Sequence, residues 1–285
     1  MASRFVFYEL RQRLGSRDIS VLFSGWEPGR ERVMVLSPHD DDALLGAGYA
    51  MAASRACGAE VYVCILCDGS AGYSREEQRA TIVEVRKREA LNAYRVAGVP
   101  EDHVVHLGFP DFSLVSYIGW RLSAGCPGTL ARVIPLLRKL GITRLMIPNG
   151  YREHTDHEAA YDVGRYDGVQ AGDPVLADHG APCAIKSTTQ YAVWGDFSPE
   201  DAVLAGADLS IRANRAIVAD YGVEEEVARA LAQFGSQGQI IQGLIEQRRA
   251  RDCGAGMMEL YIAMDPRPRL EYAPYARAIR SIQVK

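Results

Sequence analysis

The chain has 285 residues, of which 48% are hydrophobic and 24% charged, and its formal net charge is −4. This length supports a sizeable hydrophobic core, and the scattered Lys and Arg residues argue against a nucleic-acid partner, which requires a concentrated basic face. No apolar run approaches the roughly 18 residues that cross a bilayer, and the amino-terminal stretch has no signal-peptide centre, so we expect a cytoplasmic protein without a membrane contact.

The chain alternates short apolar runs with helix-period segments that end on glycine, an α/β pattern. The apolar runs lack strict alternation, as expected of strands that are covered on both faces. We therefore predict a Rossmann-like, mostly parallel sheet with helices on both faces. The predicted strands are RVMVL (32–36), AEVYVCILC (59–67), HVVHLGF (103–109) and TRLMIP (143–148).

The pattern changes in the last third of the chain, where charged helical stretches precede one strand-like run, MMELYIAM. We interpret residues 1–285 as one α/β domain. Its core covers about 30–200, and an appended helical segment with a late strand covers about 200–285.

The six cysteines show no paired framework, which fits reduced thiols better than disulfides. Cys64 and Cys67 spell C-x-x-C, but they lie within a strand-like run, whereas redox pairs belong at the start of a helix. We expect these two thiols to be structural.

A histidine and three aspartates, residues 39–42, directly follow the first predicted core strand. Open α/β sheets bind ligands at the carboxyl ends of their strands. Carboxylates this close raise one another's pKa, so the cluster is costly unless a cation neutralises it. The alternative is that one aspartate caps the following helix and the others face solvent.

A second cluster favours the cation. His154, Asp156 and His157 lie just past the strand predicted at 143–148, at the same edge of the sheet. We therefore predict a metal site from these two stretches.

A dinucleotide site was the competing interpretation, because Gly46 and Gly48 form G-x-G after a strand. Met51 occupies the place of the third glycine, and the His/Asp cluster separates the glycines from the strand. The glycines fit better as small residues that pack the first helix against the sheet.

The two clusters resemble the signature of a known protein family. HDDD (39–42) and HTDH (154–157) resemble the signature of the PIG-L/LmbE-like zinc-dependent N-acetyl-sugar deacetylases, and the similarity continues through LCDGSAG (66–72), RKREALNA (86–93), LGFPD (107–111) and FGSQGQ (234–239). The resemblance implies zinc held by His39, Asp42 and His157. Imidazole and carboxylate ligands would also admit Fe²⁺.

The resemblance also implies roles in amide hydrolysis. Asp41 would be the general base toward the attacking water, and His154 a protonated imidazole that stabilises the oxyanion, with its charge held by Asp156. Arg86 and Asp111 would contact sugar hydroxyls, although Arg86 could equally be a charge on a helix surface.

Three positions are ambiguous. Asp40 stands where the family pattern has an apolar residue, and we expect it to face solvent. The sequence does not decide whether Tyr151 or Arg152 assists the oxyanion.

We expect substrate specificity to depend on the loops 69–78, 112–128 and 165–200.

Together these features predict a zinc-dependent N-deacetylase that acts on a small amino sugar or glycoconjugate. An amidase for another sugar or thiol-sugar conjugate, and a non-catalytic sugar-binding relative, remain alternatives. The specific substrate is not readable from the sequence. The sequence neither predicts nor excludes a homo-oligomer.

Overall fold

A computed structural model describes residues 4–123 and 125–283 of the chain. Its strands form one sheet of nine, with the spatial order 2-1-8-9-7-6-3-4-5 in chain numbering. The strands are β1 Phe5–Glu9, β2 Leu14–Ser16, β3 Arg32–Ser37, β4 Glu60–Cys67, β5 Val104–Phe109, β6 Arg144–Pro148, β7 Ser187–Tyr191, β8 Arg215–Ala219 and β9 Met257–Met264.

Five neighbouring strands, from β5 through β4, β3 and β6 to β7, pair in parallel. Antiparallel pairs join β1, β2, β8 and β9 to them. The predicted mixed α/β fold with a mostly parallel sheet is confirmed. The strands β1, β2, β7 and β8 were not predicted from the sequence.

Helices cover both faces of the sheet, and β3 shows how one strand contributes to both. Val33 and Val35 belong to one hydrophobic cluster with the helices on one face, whereas Met34 and Leu36 belong to a second cluster with the helices on the other face. This explains the continuous apolar strand sequence. The helices are α1 Asp42–Ala56, α2 Ile82–Val96, α3 Leu130–Leu140, α4 Thr155–Asp162, α5 Pro199–Leu204, α6 Tyr221–Leu231, α7 Gly238–Gln247 and α8 Tyr272–Ser281.

The strand order changes direction at β3. The chain first builds β4 and β5 on one side of β3, and then places β6 and β7 on its other side. The loops after β3 and β6 therefore leave the same edge of the sheet next to each other, which is the usual position of a ligand crevice in open α/β sheets.

The carboxyl-terminal segment differs from the prediction. The late strand was predicted at its observed position, but β9 lies between β8 and β7. The segment is thus inserted into the sheet and is not appended to it. No described helix combines the length and the apolar character that are needed to cross a membrane.

The two glycines of the rejected dinucleotide motif lie within α1, where neighbouring side chains approach closely. A Cβ atom on Gly46 would clash with the Tyr191 ring, and one on Gly48 would lie 3.0 Å from Val227. This contact with β7 and α6 supports the packing interpretation. Cys64 and Cys67 are buried free thiols on β4, as the structural interpretation of C-x-x-C expects.

A fully buried ion pair lies at the opposite edge of the sheet from the predicted site. Arg144 donates to both carboxylate oxygens of Glu31, at 2.8 and 3.0 Å. Burial alone would raise the pKa of Glu31, but the hydrogen bonds from Arg144 and Thr143 outweigh it and lower the pKa to about 2. The pair anchors the start of β3 to β6.

We expect Glu31→Gln to destabilise the fold by about 3–5 kcal/mol at neutral pH, because it leaves the Arg144 guanidinium buried without its anion. Since the folded-state pKa is below the usual 4.5, the contribution of Glu31 is complete above that value and is lost as the pH falls towards 2. Urea unfolding at several pH values measures both effects. Glu60→Gln, which removes an exposed ion pair with Arg32, is the control and should cost at most about 1 kcal/mol. An equal loss in both variants would contradict this assignment.

Candidate metal centre

A cleft of about 510 Å³ opens at the carboxyl edge of the sheet. Residues that follow all five parallel strands line it, together with the beginning of α7. The two sequence clusters meet here, because β3 and β6 are neighbours. The fold therefore brings together side chains that lie more than a hundred residues apart in the chain.

The three predicted ligands converge on one point. Nδ1 of His39 and Nε2 of His157 each lie 3.1 Å from Oδ2 of Asp42, and the potential ligand atoms all lie within 4.8 Å of one another. Ligand atoms around a tetrahedral zinc ion, at about 2.0–2.1 Å from the metal, are roughly 3.3 Å apart. The spacing fits a small divalent cation.

The second nitrogen of each imidazole is held by a buried carboxylate. Nε2 of His39 lies 3.3 Å from Oδ2 of Asp156, and Nδ1 of His157 lies 2.6 Å from Oε2 of Glu153. Metal-binding histidines typically use such carboxylates to fix the ring and its tautomer. These contacts turn Nδ1 of His39 and Nε2 of His157 towards Asp42.

The chemistry of these donor atoms also fits a cation. Nε2 of His157 is buried and, although it lies 3.1 Å from Oδ2 of Asp42, it makes no well-aligned hydrogen bond in the described part of the chain. Burial disfavours imidazolium, yet the bonds to Asp156 and Asp42 raise the pKa of His39 to about 10. The pKa of His157 rises to about 9, since the charge of Asp42 outweighs burial. The cluster thus favours positive charge at its centre.

Glu153 is a site residue that the sequence analysis missed. Its Oε1 accepts hydrogen bonds from the backbone N–H groups of Val193, Trp194 and Gly195, while Oε2 holds His157. One carboxylate therefore joins a predicted ligand to the loop after β7. The sequence feature that could have identified Glu153 is its position four residues before a predicted ligand histidine.

Asp156 has a different partner from the one expected. Its carboxylate accepts hydrogen bonds from the backbone N–H groups of Phe112 (2.7 Å) and Leu114 (3.1 Å), besides contacting His39. His154 lies farther away, with Nδ1 3.6 Å from Oδ2. Asp156 therefore positions His39 and the loop after β5 more directly than it contacts His154.

His154 caps α4. Its Nδ1 accepts a hydrogen bond from the backbone N–H of Asp156, so the ring proton of the neutral form is on Nε2. Burial and the charge of His39 lower the pKa of His154. This environment favours a neutral imidazole, in contrast to the protonated ring inferred from the sequence.

Asp41 lies beside the three ligands and lines the cleft. Burial and the charge of Asp42 raise its pKa to about 6. A carboxyl group with a pKa in this range can accept a proton near neutral pH and release it again, which general acid–base catalysis requires. The predicted role stays a prediction, and the position is compatible with it.

Asp40 does not face solvent, contrary to our expectation. It is 2% exposed and accepts a 2.6 Å hydrogen bond from Nε of Arg86. The misprediction arose because the partner lies 46 residues later, on α2. Arg86 is thus not a surface charge.

The two predicted sugar contacts line the cleft but are already engaged. Arg86 is bound to Asp40, and the carboxylate of Asp111 accepts hydrogen bonds from the backbone N–H groups of Gly69 and Ala71, each at 2.9 Å. Their contacts with substrate stay predictions. Arg152 lines the cleft; Tyr151, the other residue left open, stacks near its guanidinium.

A second group of potential metal ligands shares His39 and adds Cys67, Asp111 and Asp156. Its two carboxylates already accept backbone hydrogen bonds. Burial, with the nearby charge of Asp156, raises the pKa of the Cys67 thiol. Because thiols bind metals as thiolates, the set of His39, Asp42 and His157 is the better cation site.

Comparison with known proteins agrees with this geometry. Residues 34–166, which contain both clusters, match the family described as PIG-L, GlcNAc-PI de-N-acetylase. The match covers just under half of the chain. The resemblance inferred from HDDD and HTDH is thereby confirmed. No curated protein matches the chain significantly.

Several solved structures share the fold. The N,N′-diacetylchitobiose deacetylase of Pyrococcus horikoshii is 16% identical, with a TM-score of 0.63 over 83% of this chain and 84% of that one. The 4-carboxy-2-hydroxymuconate hydratase of Pseudomonas putida is 16% identical (TM-score 0.60, 85% and 100%). A zinc-inhibited form of teicoplanin deacetylase is 19% identical (TM-score 0.54, 82% and 99%). At these identities the likeness concerns the fold alone.

We predict that Glu153→Gln weakens zinc binding by about 10- to 100-fold, because the loss of charge loosens the orientation of His157. Competition titration with a coloured chelator measures the affinity. Glu158→Gln, an exposed residue on α4 next to His157, should leave the zinc affinity unchanged. Equal zinc affinities in Glu153→Gln and Glu158→Gln would show that Glu153 does not support metal binding.

Proposed function

We propose that the chain is a divalent-metal-dependent N-deacetylase that hydrolyses the N-acetyl amide of an amino-sugar-containing small molecule. The observation that carries the proposal is the convergence of His39 and His157 on Asp42, with Asp41 beside them in an open cleft. Two imidazoles and one carboxylate leave room for water and substrate, as catalytic zinc sites do. The PIG-L match over both clusters supports amide hydrolysis.

His39, Asp42 and His157 would hold the ion. Zinc or Fe²⁺ there would supply Lewis acidity, which lowers the pKa of water and polarises an amide carbonyl. Asp156 and Glu153 orient the two imidazoles from behind. The chain thus provides a preorganised site for a cation and keeps Asp41 free for proton transfer.

Asp41 accepts the proton of the attacking water on its carboxylate and can later pass it to the leaving amine. Its raised pKa in the metal-free protein arises from burial and from the charge of Asp42. A cation on Asp42 would offset that charge and favour the ionised base.

His154 would stabilise the oxyanion as a neutral hydrogen-bond donor. Since Nδ1 is occupied by the backbone N–H of Asp156, Nε2 carries the proton. The histidine lines the cleft next to the ligand set, and its ring centroid is 5.0 Å from that of His39. A neutral donor needs no counter-ion, which agrees with the distance of 3.6 Å between Nδ1 of His154 and Oδ2 of Asp156.

Two other functions are less well supported. The hydratase among the structural neighbours indicates that one fold can host another reaction, but hydration releases no acid, so acetate release separates the two. A sugar-binding protein would have no need for Asp41 beside a complete ligand set. Amides other than N-acetyl remain within the same chemistry.

We expect Asp41→Asn to lower acetate release from N-acetylated amino sugars by about 10²- to 10⁴-fold while zinc stays bound, because the variant keeps the ligands and loses the base. Asp42→Asn should lose both zinc and activity. Acetate is assayed enzymatically, and zinc is measured by elemental analysis.

The control is Asp102→Asn, an exposed aspartate far from the cleft lining, which should match the unmodified protein. If Asp41→Asn kept more than about a tenth of the activity, Asp41 would not be the general base. If zinc-loaded protein released no acetate from any substrate tried, deacetylation itself would be excluded for that panel.

A further inference from the structure

Large apolar side chains surround the mouth of the cleft. Four of them line it and remain exposed: Tyr73 by 36%, Phe112 by 65%, Trp194 by 53% and Ile240 by 53%. They come from the loops after β4, β5 and β7 and from α7. An apolar rim beside a concave polar site is typical of a surface that a ligand covers. We call these four residues the apolar rim.

The backbone holds Phe112 in an unusual conformation. Its φ is +57°, which bulky residues rarely adopt. The Phe112 N–H donates a 2.7 Å hydrogen bond to Asp156, and the ring packs edge-on to His154 at 4.3 Å between centroids. The carboxylate that orients His39 therefore also keeps this aromatic ring at the mouth of the cleft.

Trp194 is anchored by the other orienting carboxylate. The N–H groups of Trp194 and Gly195 donate to Oε1 of Glu153, at 3.3 and 3.2 Å, and Oε2 of Glu153 holds His157. The position of this exposed indole is thus coupled to the metal site by a single side chain.

A hydrogen bond joins the two segments that carry Tyr73 and Ile240, the remaining rim residues. The Gln237 amide, just before α7, donates to the backbone carbonyl of Gly72. This bond connects the start of the helix that carries Ile240 to the loop that carries Tyr73. The rim is therefore assembled before any ligand arrives, which reduces the ordering cost of binding.

The floor and the rim of the cleft differ in polarity. The floor is formed by the imidazoles and carboxylates around Asp42, whereas Arg86 and Asp111, the polar groups expected to bind sugar hydroxyls, are engaged with Asp40 and with backbone N–H groups. The amide and the polar sugar ring fit the floor. The part of a substrate that extends to the mouth would meet mainly apolar surface.

We infer that the amino sugar carries an apolar aglycone, an alkyl or aryl group on its glycosidic oxygen, and that this group packs on the apolar rim. The inference rests on the proposed deacetylase function. An apolar acyl chain fits less well, because it would begin at the polar floor, next to the reacting carbonyl.

The test compares methyl and hexyl glycosides of N-acetyl-β-glucosamine, which share the sugar and the amide. We expect kcat/KM for acetate release to be about tenfold higher for the hexyl glycoside, the gain from burying about two methylene groups. In Trp194→Ala the ratio of hexyl to methyl should fall below about threefold. Trp120→Ala removes an exposed tryptophan outside the cleft lining and should keep the full ratio.

A third substrate distinguishes the position of the apolar group. The methyl glycoside with an N-hexanoyl in place of the N-acetyl group places the same chain on the amide. A gain there equal to that of the hexyl glycoside would overturn the aglycone assignment. Equal kcat/KM values for the two N-acetyl glycosides would also overturn it.

Calorimetry separates this inference from the proposed function. If zinc-loaded protein hydrolyses neither glycoside, the proposed function fails, and the rim is then tested by binding alone. Tighter binding of the hexyl glycoside, lost in Trp194→Ala and kept in Trp120→Ala, would support the apolar subsite. Equal affinities for both glycosides would refute it.

Discussion

Five aspartates meet at the carboxyl edge of the sheet, and the surrounding architecture balances the repulsion between them. Asp40 has the guanidinium of Arg86, and Asp111 and Asp156 accept backbone N–H groups from the loops after β4 and β5. Asp42 faces two imidazoles. Asp41 is left with a raised pKa and an open path to the cleft. The proposed cation at Asp42 would add further positive charge at this point.

The loops that line the cleft are tied to this centre by the same carboxylates. Asp156 holds both His39 and the loop with Phe112, and Glu153 holds both His157 and the loop with Trp194. Each carboxylate therefore connects one predicted ligand to one rim residue. A change in either would alter metal binding and the mouth of the cleft together.

The sequence predicted the parallel strands β3 to β6 and the two clusters, because continuous apolar strands and His/Asp pairs are local patterns. It did not predict β1, β2, β7 and β8, and it predicted β9 at the right residues but not between β8 and β7, because strand order depends on contacts far apart in the chain. Sequence patterns also predicted that Asp40 faces solvent, and they did not identify Glu153 as a site residue. Their partners become visible only when α2 and the loop after β7 pack against the site.

The proposed centre binds one divalent cation through His39, Asp42 and His157. X-ray absorption at the zinc edge, on protein loaded with one equivalent of zinc, identifies the ligand atoms. We expect scattering from two imidazoles and from oxygen, without sulfur. A sulfur contribution would assign the ion to the group that contains Cys67, and failure to retain zinc would contradict the metal centre altogether.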